Sequence, residues 1–501
     1  MISTMKTMFQ GWFRAVSTGV CPYHQKSDFL SIRWTMRTVL LLRSQDIGLF
    51  LSLLGCIPLK EIPSMDHDIR HLGAIGDGRT KATAIIQRAI DDASNQGGGR
   101  VVVPSGTYLT GSVHLKSRVT LHLEAGAVLR GSSDLADYAI DADQDYAPGV
   151  IGPVLIFAKG CDRVGISGTG VIDGDGNSFP KKMDSPRPVL VRFRDCTQVR
   201  VRDVTLRDGA SWTIHAIGCR QVRYEDLTIH SVLQPTNDGL DIDGCEEVFV
   251  RGCSITTSDD AISLKATRIG YPCRDVLISD CRLSSYCQAI RVGPETLADI
   301  HRVTATNCVI VDTGMGGICV QAAHGGSIYD LIFNGIVMDM VSNPISVRLG
   351  GWREGDANVK VWFLDDQHWQ RGQIHDVLFA NIRARIPKRY LEGTPKESYT
   401  FKENEKTCIS VTGTTSTRPQ RITFNQVEVT CPGGGTSADA NRIIPDLDRQ
   451  YPTPFMFGVP PAYGLFARHV DDLVLKEVRF LLDSPDARPA AICDDVQRGP
   501  P

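Results

Sequence analysis

An internal repeat constrains the fold of this 501-residue chain more than any other feature of its sequence. Between residues 199 and 345, short apolar segments such as VRVRDV recur every 22–28 residues and are separated by polar turns. A second series of apolar residues recurs at similar intervals. The first series is Val199, Val222, Val248, Val276, Val303 and Leu331, continued after insertions by Val377, Ile422 and Leu473; the second is Ile214, Leu240, Ile262, Ile290, Ile318 and Ile345.

Each repeat has the pattern of two or more short β-strands, with apolar alternation, β-branched residues and glycine turns. A period of roughly 20–30 residues without a helix is typical of a parallel β-solenoid. One repeat cannot bury its apolar face alone, whereas stacked repeats bury a continuous core. We therefore predict an all-β fold, a right-handed parallel β-helix, that extends over residues 66–495 as one domain. The leucine and asparagine signature of a leucine-rich repeat is missing, and a propeller would need longer periods.

An open end of a solenoid needs a cover, because its edge strands present unpaired backbone groups. Residues 81–93 form an amphipathic segment, KATAIIQRAIDDA, directly before the first predicted coils. We predict that this segment is an N-terminal capping helix. Its apolar face consists of Ile85, Ile86, Ala89, Ile90 and Ala93.

Residues 1–64 show no repeat, and we predict an N-terminal extension that is disordered or a poor leader. The apolar stretch 47–59 begins too far along the chain for a signal peptide. We therefore expect a cytoplasmic protein, with secretion or lipid anchoring at Cys56 as the alternative. No apolar run reaches the roughly 18 residues that a membrane span requires.

The charge and cysteine content exclude several partners and cofactors. The chain has 54 basic and 57 acidic residues, and this balance gives no argument for nucleic acid or an anionic membrane as a partner. Most of its fifteen cysteines recur at fixed repeat positions, which predicts small buried side chains rather than zinc ligands or a disulfide framework. We expect no metal and no cofactor. The cysteines that stand three residues before a valine are Cys161, Cys196, Cys219, Cys245 and Cys273.

The segment TTSDDAISLK places Asp259 and Asp260 side by side, although adjacent like charges repel each other. Stacking the second apolar series places Asp260 over Asp238 and brings residues from neighbouring coils to the same patch. Clustered carboxylates differ in pKa, so that one donates a proton while others accept, as glycoside hydrolysis requires. Both adjacent aspartates can face one cleft only if the backbone bends before the strand. The predicted patch consists of Asp238, Asp241, Asp259, Asp260, Gln288 and Arg291.

The segments TNDGLDIDGC and TTSDDAISLK, with the solenoid around them, resemble the polygalacturonases and their relatives, glycoside hydrolase family 28. The resemblance covers about residues 66–495. It implies an enzyme that inverts the anomeric carbon while it hydrolyses α-glycosidic bonds of pectin-type polysaccharides, without a metal. It also implies that Asp259 is the general acid, while Asp238 and Asp260 hold and activate the water. An inverting mechanism predicts roughly 6.5–9.5 Å between acid and base.

Two motifs of the family are missing. Gln288 replaces the histidine of a Gly-His-Gly motif, and neither cation of an Arg-Ile-Lys motif is present near residues 316–320. We predict that Asp241, Gln288 and Arg291 bind the substrate, with Arg291 as the substitute cation. The alternatives are a β-helix polysaccharide lyase, which would need calcium and a basic residue, and a non-catalytic glycan-binding solenoid.

Overall fold

A computed structural model describes residues 66–141, 152–182, 185–350, 372–388, 402–448 and 450–498. The predicted N-terminal extension, with the stretch 47–59 and Cys56, lies outside the described residues. None of the helices that the model describes has both the length and the apolar character required to cross a membrane.

The described residues form 35 strands and two α-helices. In chain order the strands are β1 (Asp66–Asp68), β2 (Asp77–Lys81), β3 (Gly99–Val103), β4 (Gly106–Thr110), β5 (Val113–His114), β6 (Val119–Leu123), β7 (Ala127–Gly131), β8 (Ala139–Asp141), β9 (Gly152–Lys159), β10 (Gly165–Gly168), β11 (Val171–Asp173), β12 (Val189–Arg194), β13 (Thr197–Arg202), β14 (Thr205–Arg207), β15 (Ile214–Ile217), β16 (Arg220–Glu225), β17 (Thr228–Ser231), β18 (Leu240–Asp243), β19 (Glu246–Arg251), β20 (Ser254–Thr257), β21 (Ile262–Ala266), β22 (Cys273–Ser279), β23 (Arg282–Ser285), β24 (Gln288–Thr296), β25 (Ile300–Thr306), β26 (Val309–Thr313), β27 (Gly316–Ala322), β28 (Ile328–Val341), β29 (Ile345–Leu349), β30 (Ile374–Arg385), β31 (Ile409–Thr412), β32 (Gln420–Cys431), β33 (Leu465–Lys476), β34 (Arg479–Leu482) and β35 (Ala491–Arg498). The helices are α1 (Thr83–Asn95) and α2 (Ser437–Ala440).

Each central coil contributes one strand to each of three parallel rows, so the chain is a parallel β-helix, as predicted. In the first row β13, β16, β19, β22 and β25 pair in sequence, and Val199 aligns with Val222. In the second row β14, β17, β20, β23 and β26 pair in the same way. In the third row β15, β18, β21, β24 and β27 pair, and Ile214 aligns with Leu240.

Both predicted apolar series are continuous internal columns. The first runs unbroken from Val199 to Leu473, including the three copies that follow insertions. The second runs from Ile214 to Ile345. These side chains are buried. They point into the β-helix, while the residues next to them along each strand point to the opposite face. The last strand ends at Arg498, three residues beyond the predicted boundary.

Helix α1 covers the N-terminal end of the β-helix, as predicted. It begins at Thr83 rather than Lys81, because Lys81 is the last residue of β2. Its apolar face packs against β1, β3, β5 and β6. Ile85 is only partly buried, whereas the other predicted members of this face are buried: Ile86, Ala89, Ile90 and Ala93.

The repeated cysteines are core residues, as their spacing predicted. All described cysteines are free thiols, and only Cys493 is exposed. In neighbouring coils the amide of Cys161 donates to Sγ of Cys196 at 3.4 Å, and the amide of Cys196 donates to Sγ of Cys219 at 3.4 Å. The column therefore fills a narrow interior position with a small polarisable side chain.

Candidate active site

Asp238 and Asp260 lie next to each other at the start of two paired strands, β18 and β21, in the third row. The amide of Gly239 donates to the carbonyl of Asp260 at 2.9 Å, which fixes the two coils in register. A Cβ atom on Gly239 would lie 2.4 Å from the carbonyl oxygen of Ala261. Only glycine therefore permits this close approach, and the stacking predicted from the repeat brings the two aspartates together.

Asp259 and Asp260 occupy a bend between β20 and β21. The carbonyl of Asp259 accepts hydrogen bonds from the hydroxyls of Thr257 at 2.6 Å and Ser285 at 2.7 Å. In this bend a carboxylate oxygen of each aspartate lies within 4.8 Å of the other. Both side chains thus reach one patch. The predicted gap of roughly 6.5–9.5 Å is not found between this pair, because both belong to one tight turn.

Asp238 and Asp241 are buried carboxyls with unsatisfied oxygens. Oδ1 of Asp238 and both oxygens of Asp241 have no hydrogen-bond partner among the described residues. Burial and the nearby Asp241 and Asp259 raise the pKa of Asp238 well above its usual range. Burial raises the pKa of Asp241 to about 7, although the Lys265 ammonium acts to lower it. The cluster therefore retains a proton near neutral pH, which is the condition for acid catalysis.

Lys265 is a buried cation at the base of the cluster. Its Nζ lies 3.5 Å from Oδ1 of Asp241 and 3.6 Å from Oε2 of Glu295. Burial acts to lower the pKa of Lys265, but Glu295 and Asp241 hold it well above its ordinary value. The same Nζ lies 5.3 Å from the ring centroid of Trp212, which is partly exposed. Lys265 thus offsets negative charge that the aspartates concentrate in this patch.

Arg291 joins Asp260 to a loop outside the repeat. Its Nη1 donates to Oδ2 of Asp260 at 3.1 Å, and its Nη2 donates to the hydroxyl of Tyr451 at 2.7 Å. Gln288, one coil beyond Asp260, is buried, and its Oε1 has no hydrogen-bond partner in the described part of the chain. Unpaired buried polar atoms cost free energy, so Gln288 and the aspartate oxygens have unused capacity to accept hydrogen bonds.

Two polar neighbours of the cluster have structural roles. The side chain of Asn237 donates to the carbonyls of Gly209 and Ser211, both at 2.8 Å. Asp243 accepts from the amide of Thr267 at 2.8 Å and from its hydroxyl at 2.5 Å. The hydrogen bonds of Asn237 hold the turn that carries Asp238. Those of Asp243 lie at the end of the strand that carries Asp241.

The donor set near the paired aspartates does not fit calcium. Among the described residues, one group of three metal-capable side chains lies within 4.8 Å, namely Asp259, Asp260 and Cys287. Calcium takes roughly six to eight oxygen ligands, and a thiol is not one of them. Cys287 also contacts the Met315 sulfur at 3.0 Å, consistent with its place in the core. This group of described residues therefore does not match the calcium cluster that a lyase needs.

Sequence reasoning missed three residues of the site: Lys265, Glu295 and Tyr451. Lys265 could have been found, because it lies in the segment TTSDDAISLK and faces outward two residues after Ser263. Glu295 follows Arg291 by four residues in the same strand, β24, without a repeat signature. Tyr451 carries no signal, since it belongs to a loop between β32 and β33 that the repeat does not position.

The raised pKa of Asp241 predicts a pH-dependent stability. Between about pH 4 and pH 7 the folded protein binds more protons than the unfolded chain, so its free energy of unfolding falls as pH rises. Asp241→Asn removes this titration and should flatten that slope, making the variant more stable than wild type above about pH 7. Urea denaturation across this range measures the effect. The exposed Asp330→Asn is the control, and an unchanged slope in Asp241→Asn would contradict the prediction.

Comparison with known proteins identifies the family of this chain. Residues 94–363, more than half of the chain, match the model of glycosyl hydrolases family 28. A probable polygalacturonase from Vitis vinifera is 26% identical over 405 residues, covering 75% of this chain and 79% of the relative. Two solved structures share the fold. The hyperthermoactive exopolygalacturonase from Thermotoga maritima has a TM-score of 0.64 at 21% identity, covering 84% of this chain and 93% of its own. The family 28 exopolygalacturonase from Yersinia enterocolitica has a TM-score of 0.67 at 19% identity, covering 87% of this chain and 79% of its own. The chain belongs to glycosyl hydrolases family 28.

Proposed function

We propose that this protein is an inverting glycosidase that hydrolyses α-glycosidic bonds in pectin-type polysaccharides. The observation that carries the proposal is the convergence of Asp238, Asp259 and Asp260 from two neighbouring coils. Two of these carboxylates, Asp238 and Asp260, have an oxygen without a hydrogen-bond partner among the described residues. A solenoid that only bound glycans would not need three aspartates so close together, because their mutual repulsion costs stability.

We infer the roles of the aspartates from the family resemblance, and the exposure of their side chains supports the assignment. Asp259, the least buried of the three, is the proposed general acid that protonates the leaving glycosidic oxygen. A water attacks the anomeric carbon as the bond to that oxygen breaks, and its proton passes to Asp238 or Asp260. Because Asp260 lies so close to Asp259, Asp238 in the neighbouring coil is the better candidate for the base.

The proton balance of the cluster requires one further step. In the free protein, burial and its neighbours raise the pKa of Asp238, so this residue competes for the proton that catalysis needs on Asp259. Coupled carboxylates share protons as a group. We propose that a bound sugar, by donating hydroxyl hydrogen bonds to Asp238, stabilises the charged form that a base requires.

Product analysis tests the proposed function. The purified protein is incubated with a panel of pectic oligosaccharides, and the chain length and anomeric form of the products are followed by chromatography and NMR. Inverted anomers without ultraviolet absorbance are expected. An unsaturated, absorbing product would indicate a lyase, and binding without any product would indicate a glycan-binding solenoid; either result would overturn the proposal.

The pairing of the local cations predicts the preferred substrate. Arg291 is engaged by Asp260 and Tyr451, and Lys265 by Asp241 and Glu295. A uronate carboxylate would compete with these internal partners. We therefore expect a lower kcat/KM on unsubstituted polygalacturonate than on branched or modified pectic substrates.

Steady-state kinetics on matched substrates measures this preference, with Arg291→Lys as the control that keeps the positive charge. Efficient cleavage of unsubstituted polygalacturonate that Arg291→Ala abolishes and Arg291→Lys retains would contradict the prediction. Arg291 would then be the cation that binds the uronate.

A further inference from the structure

A basic groove lies on the outer face of the first row, on different strands from the catalytic aspartates. Its volume is about 730 Å³. Its described lining contains six arginines and a single acidic residue, Glu247, which is paired with Arg220 at 2.7 Å. The arginines are Arg100, Arg118, Arg163, Arg200, Arg202 and Arg223.

The stacking of the coils creates both the floor and the walls of the groove. Thr120 and Gly165 align with Arg200 in successive coils, and Arg200 aligns with Arg223 in the next. A Cβ atom on Gly165 would lie 2.3 Å from the carbonyl oxygen of Arg200, so the floor has no side chain there. The guanidinium groups therefore border a trough that runs along the axis of the β-helix.

Several of these arginines can exchange their present partners for a ligand. Arg200 pairs with Glu225 at 2.7 Å and Arg163 with Asp162 at 2.9 Å, but both arginine side chains are more than half exposed. Exposed ion pairs contribute little to stability, so a ligand carboxylate can replace them. The side chain of Arg118 is exposed to solvent. Its charge is available to a ligand.

An exposed aromatic ring closes one end of the groove. The guanidinium carbon of Arg223 lies 4.5 Å from the ring centroid of Phe249, whose side chain is 37% exposed. A flat ring beside cations offers apolar contact to a sugar ring and charge to its carboxylate.

A second groove of about 570 Å³ farther along the chain provides the comparison. Its described lining has two arginines and two glutamates, so its charge is balanced. The second groove therefore does not share the excess of arginine that lines the first groove. The charged residues of the second groove are Arg383, Arg479, Glu428 and Glu477.

We propose that the arginine groove is a non-catalytic docking site for the carboxylates of an acidic glycan chain. The ligand class rests on the proposed function, since a pectin-type substrate supplies a polymer with many uronate groups. Planar guanidinium groups bind carboxylates through two parallel hydrogen bonds. A polymer held in the groove stays attached to the protein, which raises the effective concentration of cleavable bonds at the aspartates.

Binding is measured on the inactive Asp259→Asn protein by affinity electrophoresis in gels that contain polygalacturonate. Adding Arg118→Gln and Arg223→Gln should weaken retention by about tenfold. The matched control adds Arg383→Gln and Arg479→Gln in the second groove, which removes the same charge and should leave retention unchanged. Glutamine is tolerated at position 118, because Gln198 and Gln221 adopt the same positive φ at equivalent positions.

The outcomes separate the docking site from the proposed function. Equal retention of the two double variants, or equal retention on methyl-esterified pectin, would overturn the docking site. Tighter binding of a single-stranded RNA, lost with the same arginines, would overturn the glycan as its ligand.

In protein with Asp259 intact, the double variant should hydrolyse short oligosaccharides at the wild-type rate, and a slower rate would refute a non-catalytic role. If wild type cleaves no pectic substrate, the proposed function fails, while retention of the inactive protein still reports on the groove.

Discussion

Asp259→Asn is expected to lower kcat on the true substrate by about a thousandfold or more, because the leaving oxygen loses its proton donor. The fold should persist. The backbone bonds of Asp259 to Thr257 and Ser285 do not involve its carboxyl group, and the amide of Asp260 can still donate to Oδ1 of the new side chain. Removing one of several clustered charges also relieves repulsion.

Parallel measurements of kcat and of the melting temperature test this expectation. Asp280→Asn, an exposed aspartate in the turn between β22 and β23, is the control and should retain full activity. Near-normal turnover of Asp259→Asn, or retention of the anomeric configuration in the wild-type product, would show that Asp259 is not the acid of an inverting mechanism.

Lys265→Met is expected to destabilise the fold by about 3–5 kcal/mol, because it leaves the buried carboxylate of Asp241 and the partly buried carboxylate of Glu295 without their shared cation. Glu295 is most affected, since burial acts to raise its pKa while Lys265 and Arg291 hold it below its usual value. The loss should be larger at high pH than at low pH. Without Lys265 the pKa of Asp241 rises above its wild-type value of about 7. Ionising this carboxyl at high pH then costs the folded state more free energy.

Denaturant unfolding of three variants separates charge from packing. Lys265→Arg keeps the charge and should lose much less stability than Lys265→Met. Adding Asp241→Asn to Lys265→Met should recover part of the loss, because one of the two orphaned charges is removed. Wild-type stability of Lys265→Met at every pH would mean that the ion pairs of Lys265 make no net contribution.

Asp259→Asn and Lys265→Met are expected to affect different properties of the protein. Asp259 is at its open side and is expected to matter for turnover, whereas Lys265 is buried beneath Asp241 and is expected to matter for stability. Arg291 links both functions, because it is paired with Asp260 and with Tyr451. A substitution of Arg291 should therefore alter activity and stability together.

The sequence alone determined the architecture and the candidate carboxylates. The apolar columns that begin at Val199 and Ile214 are both found in register, because one residue of slippage would turn every buried side chain of a strand to the surface. That same periodic register placed Asp238 beside Asp260. A short-range pattern could predict these contacts, since each coil contacts only its neighbours.

Only the tertiary structure decided what surrounds those carboxylates. The pairing of Arg291 with Tyr451 joins residues 160 positions apart, through a loop that obeys no repeat. The separation of Asp259 and Asp260 depends on the shape of one turn, and the proton affinity of Asp241 depends on burial and on the distance to Lys265. Periodicity fixes which strands are neighbours, but loop conformation, burial and charge distances arise from the complete three-dimensional packing.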